Sequence, residues 1–187
     1  MDPAVLAGKL LHDLPQAEGC DPAMPCAAIL VPLVQEGGEW CLLFTRRSGN
    51  VATHQNEVSF PGGSFEPADG NLLKTALREA REEIGVDDAD ISVIGALPAT
   101  YTVTQFKVYP FVGVLNWPLR LILNAGEVES VFIIPVNWLM DEQNYYEADF
   151  FSEKFGIRKV IHYKEFKGEH LWGYTARVTQ QLLELVK

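Results

Sequence analysis

Residues 60–86 read FPGGSFEPADGNLLKTALREAREEIGV. The stretch opens on Gly62-Gly63, passes through Pro67, Asp69, Gly70 and Asn71, and closes on Arg78-Glu79-Ala80-Arg81-Glu82-Glu83-Ile84-Gly85-Val86. A glycine pair permits backbone conformations closed to other residues and lets a ligand approach the main chain. Pro67, Asp69, Gly70 and Asn71 supply turn chemistry and a helix N-cap. At about 100° per residue, Leu72, Leu73, Ala76, Leu77, Ala80 and Ile84 fall in one sector. That pattern predicts a helix with a core-facing stripe, stopped by Gly85.

Glu79, Glu82 and Glu83 then crowd along one edge of the stripe. Each adjacent pair of like charges costs about 0.2–0.5 kcal/mol. The three also sit in the last turns, where the helix dipole disfavours negative charge. Arg78 can pair with Glu82 one turn on, which offsets only part of this. Most acidic helix faces are simply solvated, but the glycines upstream favour a site. Stability would not select three such carboxylates, whereas binding a hard cation would.

The stretch resembles the signature of the Nudix hydrolases, GX5EX7REUXEEXGU with U apolar. Gly63 is followed, after five residues, by Asp69 rather than Glu, and eight residues rather than seven precede Arg78-Glu79. Ala80 and Val86 fill the apolar positions. The resemblance implies an α+β chain with the Nudix fold, an α/β/α sandwich around a mixed β-sheet, with this stretch as loop–helix–loop. It implies Mg2+ or Mn2+ held by the Gly63 carbonyl, Glu82 and Glu83, with Glu79 able to supply a further ligand. Arg78 would orient the carboxylates rather than touch substrate.

Length and composition agree. A chain of 187 residues suits one domain over 1–187, with residues 1–25 as an N-terminal helix and loop. No apolar run approaches about 18 residues, and the acidic N-terminus is unlike a signal peptide. Cys20, Cys26 and Cys41 are odd in number and form no metal-type pair, which suits reduced thiols in a cytoplasm. A net charge of −10 argues against nucleic-acid and membrane-surface partners. A phosphorylated substrate would meet a repulsive field unless cations intervene.

Alternation predicts strands at Ala27–Val34, Trp40–Arg46, Glu57–Phe60, Ile91–Leu97, Lys107–Leu115 and Ser130–Ile134. Asp2-Pro3 predicts a helix reaching about Leu14, and Thr175–Val186 a C-terminal helix. The region Asp141–His162 gives no assignment.

Four stretches resemble one Nudix branch, the coenzyme A pyrophosphatases. They are Leu42–Ser48 running to Phe60-Pro61-Gly62-Gly63, the acidic helix with its inserted residue, Gly95–Pro98 continuing to Val108–Gly113, and Leu171–Ala176. Two positions depart from the branch: Ala52 stands where it has arginine and Asn56 where it has glycine. Arg46 and Arg47 point to opposite faces of a strand, so at most one enters a cleft. Arg47, which matches the motif, is the expected substrate contact with Gly62 and Gly63, while His54 is expected only to tie its loop. A further acid often comes from a loop outside the box, and Glu127 is the candidate; Glu66 is a weaker one. Tyr101, Phe106 and Trp172 could stack on adenine but suit core packing better.

The expected catalytic set is thus Glu82, Glu83, Arg78 and Glu127. The expected reaction is hydrolysis of coenzyme A or an acyl derivative to phosphopantetheine and adenosine 3′,5′-bisphosphate. Hydrolysis of ADP-ribose or a dinucleotide is the alternative, and a non-catalytic nucleotide-binding regulator a second. The partner expected is a small-molecule nucleotide, with a homodimer left open.

Overall fold

The computed structural model describes residues 1–15, 20, 24–50, 55–102, 105–152 and 156–187. Ala52 and His54 lie outside the described residues. The elements run α1 (Pro3–Ala7), β1 (Cys26–Glu36), β2 (Glu39–Arg47), β3 (Val58–Ser59), β4 (Gly62–Ser64) and α2 (Leu72–Ile84). They continue with β5 (Ile91–Ala96), β6 (Thr100–Tyr101), β7 (Lys107–Leu115), β8 (Val128–Pro135), α3 (Val136–Met140), β9 (Tyr145–Ser152), β10 (Gly156–Tyr163) and α4 (Gly173–Val186).

The mixed sheet is organised around β1. Its first half pairs antiparallel with β4, from Ala27 opposite Ser64 to Ile29 opposite Gly62. Its last residues pair with β2, from Leu33 opposite Leu42 onward. On the other edge it runs parallel to β7, Cys26 opposite Lys107 through Leu33 opposite Val114. So β1 and β2 splay apart at one end, and the 58–64 segment fills the gap, with β3 holding β2 at Thr45 and Arg46. β8 lies on β2's outer edge, and β5 and β6 on β7's.

Two-residue periodicity sends alternate side chains to opposite faces. Ala28, Leu30, Cys41, Leu43, Tyr109 and Phe111 face α2 and bury Leu72, Ala76, Ala80 and Ile84. Val31, Leu33, Leu42, Phe44 and Val112 face α4 and bury Ala176, Val178, Leu182 and Leu183, with Leu6 and Leu139 alongside. Each such Leu or Ile contributes about 1.5–3 kcal/mol by leaving water. The result is an α+β sandwich with helices on both faces of a mixed sheet.

Two expectations need correction, and one unassigned region takes shape. The N-terminal helix is capped by Asp2, which accepts the Ala4 N–H at 2.9 Å, but it ends at Ala7 rather than near Leu14. Leu11 instead exchanges two backbone hydrogen bonds with Ala96, at 2.9 and 3.0 Å, so the sheet edge outcompetes further helix. The cysteines are not all reduced thiols. Cys20 and Cys26, with Cα atoms 5.4 Å apart, form a disulfide, while Cys41 is free and buried. A bridge between Cys20 and the first residue of β1 is a closure that spacing alone does not reveal, and the cytoplasmic expectation loses that support. Finally, the unassigned region holds the β9–β10 hairpin, paired from Tyr145–Tyr163 to Ser152–Gly156. Among the described residues no helix is long and apolar enough to cross a membrane.

Candidate active site

The splay between β1 and β2 sets the site. Gly62 crosses so close to β1 that a Cβ there would meet the Ala28 carbonyl and lie 2.7 Å from the Ile29 Cα. A Cβ on Gly63 would instead collide with the Glu79 carboxylate, so main chain and carboxylate lie in direct contact. Gly62 demands glycine because backbone blocks a Cβ there, whereas at Gly63 the obstacle is the end of a side chain.

Above them α2 begins at Asn71, whose side chain accepts the Lys74 N–H at 2.9 Å. It ends at Gly85, in the left-handed conformation at φ 70°. Glu79 and Glu83 lie on the flank next to the glycines. Glu82, on the same edge in the sequence reading, swings outward and is 53% exposed.

Arg78 organises this flank. Its Nε donates to Asp69 Oδ1 at 2.7 Å, and Nη2 to Asp69 Oδ2 at 3.2 Å and the Ser64 carbonyl at 3.1 Å. Nη1 reaches Glu79 Oε1 and Glu82 Oε2, each at 2.9 Å. All five guanidinium donors are therefore committed to protein oxygens. Asp69 is buried and also accepts Thr75 Oγ1 at 2.8 Å and the Glu66 N–H at 3.0 Å. Burial would raise its carboxyl, but these bonds outweigh that and hold it below the usual carboxylate range. The Asp69 departure from the signature is thus the anchor of Arg78. The sequence reading missed that role, and the joint change of residue and spacing was its signal.

Glu83 is the buried member, 2% exposed. Arg47 Nη1 stands 3.7 Å from its Oε1, an ion pair too long for a hydrogen bond. Glu83 Oε2 and Arg47 Nε are buried with no partner. Burial pushes the Glu83 pKa up to about 8; Arg47 opposes this, Glu79 and Glu127 reinforce it, and the Gly62 N–H pulls it down. Glu79 is likewise raised by burial, against the pull of Arg78. Arg46 points to the other face and pairs with Glu169, Nη2 to Oε2 at 2.7 Å.

Glu127 is close enough to Glu79 and Glu83 to raise both. Its backbone carbonyl accepts the Ser48 N–H at 2.8 Å, which ties it to the end of β2. The structure thus brings Gly62, Gly63, Glu79, Glu83, Arg47, Arg78 and Glu127 to one end of the sheet. Glu82 joins them only through Arg78. Glu66 is exposed and serves the turn before α2, and Trp172 stacks on His162 with centroids 5.6 Å apart.

Among the described residues no three His, Cys, Asp or Glu side chains converge closely enough to hold a metal ion. Arg78 stands between Glu79 and Glu82, and Glu83 faces Arg47 at 3.7 Å. The donor set still fits a hard divalent cation. It is all oxygen, it carries more negative charge than its arginines neutralise, and its innermost carboxylate keeps an unpartnered oxygen.

An α+β sandwich whose sheet splays around a glycine pair, with a carboxylate-bearing helix and Arg47 beside it, sets a charged polar site at one end of the sheet. The NUDIX domain model matches residues 24–154, and the chain belongs to the Nudix hydrolase family. It is 34% identical over 156 residues to the uncharacterized Nudix hydrolase NudL of Pectobacterium atrosepticum, covering 83% of this chain and 80% of that protein. Its fold is similar to a NUDIX hydrolase from Alicyclobacillus acidocaldarius, with TM-score 0.58, 18% identity, and coverage of 86% of this chain and 91% of that one. It is also similar to a MutT/nudix family protein from Enterococcus faecalis, with TM-score 0.61, 14% identity, and coverage of 94% and 65%. Nudix hydrolases act on small nucleotide-derived substrates and generally use divalent metal ions.

Proposed function

We propose that the protein hydrolyses the diphosphate of coenzyme A or an acyl-coenzyme A, releasing a phosphopantetheine and adenosine 3′,5′-bisphosphate. The observation that carries hydrolysis is the Glu83–Arg47 pair beside Gly62-Gly63, with one buried oxygen and one buried nitrogen left unpartnered. The four branch-like stretches carry the choice of substrate. Asn56 departs from the branch's glycine, and at φ 59° it takes a left-handed backbone that glycine also adopts readily. Asparagine tolerates that conformation better than most residues.

In this reading Gly63, through its carbonyl, Glu79, Glu82 and Glu83 hold Mg2+ or Mn2+. Such a cation supplies charge neutralisation for the diphosphate oxygens. Arg47 binds a phosphate through its guanidinium, whose Nε has no protein partner. Arg78, with every donor committed, orients Glu79 and Glu82. Water attacks one phosphorus, the bridging P–O bond breaks, and the proton of the water passes to the Glu127 carboxylate.

Ala52, where the branch has arginine, favours a second reading, hydrolysis of ADP-ribose or a dinucleotide. Chromatography of products from coenzyme A, acetyl-coenzyme A, ADP-ribose, NADH and diadenosine polyphosphates separates the two. Adenosine 3′,5′-bisphosphate from the coenzyme A compounds alone, lost in E82Q, is the expected result. Turnover of ADP-ribose or a dinucleotide instead would overturn the coenzyme A assignment.

A further inference from the structure

We infer that Asn124 is a positioning residue that aims the Glu127 carboxylate into the site. The inference rests on the reading of Glu127 as the proton acceptor. Asn124 begins the turn before β8, and its main chain closes that turn by accepting the Glu127 and Val128 N–H groups at 2.9 and 2.8 Å. Its own N–H donates to the Glu83 carbonyl at 3.0 Å, so the turn hangs directly from the end of the carboxylate helix. Two residues earlier Ile122 repeats the contact, donating to the Ile84 carbonyl at 3.0 Å.

The side chain adds what the backbone cannot. Its Oδ1 accepts the Gly126 N–H at 3.1 Å, and its Nδ2 donates to Glu127 Oε1 at 3.1 Å. A backbone N–H can only donate and an ionised carboxylate can only accept, so this pair of partners fixes the amide orientation and requires a donor and an acceptor on one planar group. Aspartate would keep the first bond and repel Glu127. The Ser48 N–H holds the Glu127 carbonyl at 2.8 Å, so its main chain is fixed from β2 and its carboxylate from Asn124. An exposed hydrogen bond of this kind adds little to folding; its effect is on direction.

The test is N124D, which preserves the turn's acceptor, removes the donor and sets a repelling charge beside Glu127. A supporting shell of this type is expected to be worth about ten- to a hundredfold in activity. N124D should lower kcat by that factor with KM and melting temperature near native, and should have no further effect in an E127Q background. Independently of turnover, E127Q should shift the Asn124 side-chain amide resonance in a 15N–1H spectrum. N124D within twofold of native kcat, an equal loss in both backgrounds, or an unmoved amide resonance overturns the inference. If E127Q loses activity but N124D does not, the role of Glu127 stands and only this inference falls. If E127Q is as active as native protein, both fall.

Discussion

Replacing Glu83 by glutamine is expected to stabilise the metal-free protein at alkaline pH while abolishing turnover. The carboxyl is 2% exposed, and burial pushes its pKa up to about 8 although Arg47 stands 3.7 Å away. In the unfolded chain it titrates near the ordinary value of about 4.3. Between those values the folded protein holds a proton that the unfolded chain has released. Stability from this group is therefore complete below the lower value, falls as pH rises, and is lost above the upper one. The slope is at most about 1.4 kcal/mol per pH unit, so from pH 5 to pH 7 native protein loses up to about 3 kcal/mol that E83Q keeps. Urea denaturation in EDTA at each pH measures both proteins. The stability of E83Q relative to native should grow with pH across this window. Parallel profiles, or a relative loss in E83Q, would refute the account of a buried, undercompensated carboxylate. Added Mn2+ should reverse the order, because binding requires the ionised form and releases its proton.

Three further outcomes follow from the same geometry. G62A should destabilise the fold by about 1–3 kcal/mol, because its Cβ meets backbone atoms of Ala28 and Ile29, whereas G63A should fold and lose activity by displacing Glu79; denaturation and turnover of each variant decide this. R47A should lower kcat/KM about ten- to a hundredfold with the loss of one charge-assisted contact. R46A should instead cost about 1 kcal/mol or less of stability and leave turnover near native, since its partner Glu169 lies on the other face. Denatured but unreduced protein should show one reactive thiol, Cys41, and three after reduction; three without reductant would refute the Cys20–Cys26 bridge.

Much of the fold was legible because local periodicity reports it. The helix predicted from Leu72 to the Gly85 stop is α2 itself, Leu72–Ile84. Lys107–Leu115 has the expected bounds, and the two-residue repeat alone sends Arg46 and Arg47 to opposite faces, where they meet Glu169 and Glu83. What stayed hidden depends on contacts between distant segments. Nothing local requires Leu11 to pair with Ala96, Cys20 to reach Cys26, or Asn124 to reach the Glu83 carbonyl. The β9–β10 hairpin escaped for a different reason. It exposes Tyr146, Phe150, Phe151 and Ile157, so its apolar residues do not mark one buried face. The spread of the acidic cluster was also illegible. Helical spacing placed Glu79, Glu82 and Glu83 together, but only tertiary packing turns Glu82 outward and buries Glu83.

In the proposed reading the arginines would reconcile an acidic chain with an anionic substrate. Arg78 spends all five donors on protein oxygens, and Arg46 is tied to Glu169. Three buried side-chain polar atoms among the described residues have no hydrogen-bond partner, and two of them, Arg47 Nε and Glu83 Oε2, belong to one ion pair. Leaving such atoms unsatisfied costs about 1–3 kcal/mol each, so packing alone would have paired or removed them. They are opposite in character, a donor and an acceptor. A bridging water could serve both, accepting from Arg47 and donating to Glu83. In the proposed reading a phosphate and a divalent cation would take its place, the phosphate oxygens meeting the guanidinium and the cation the carboxylate. Substrate and cation would then depend on each other, which suits a chain of net charge −10.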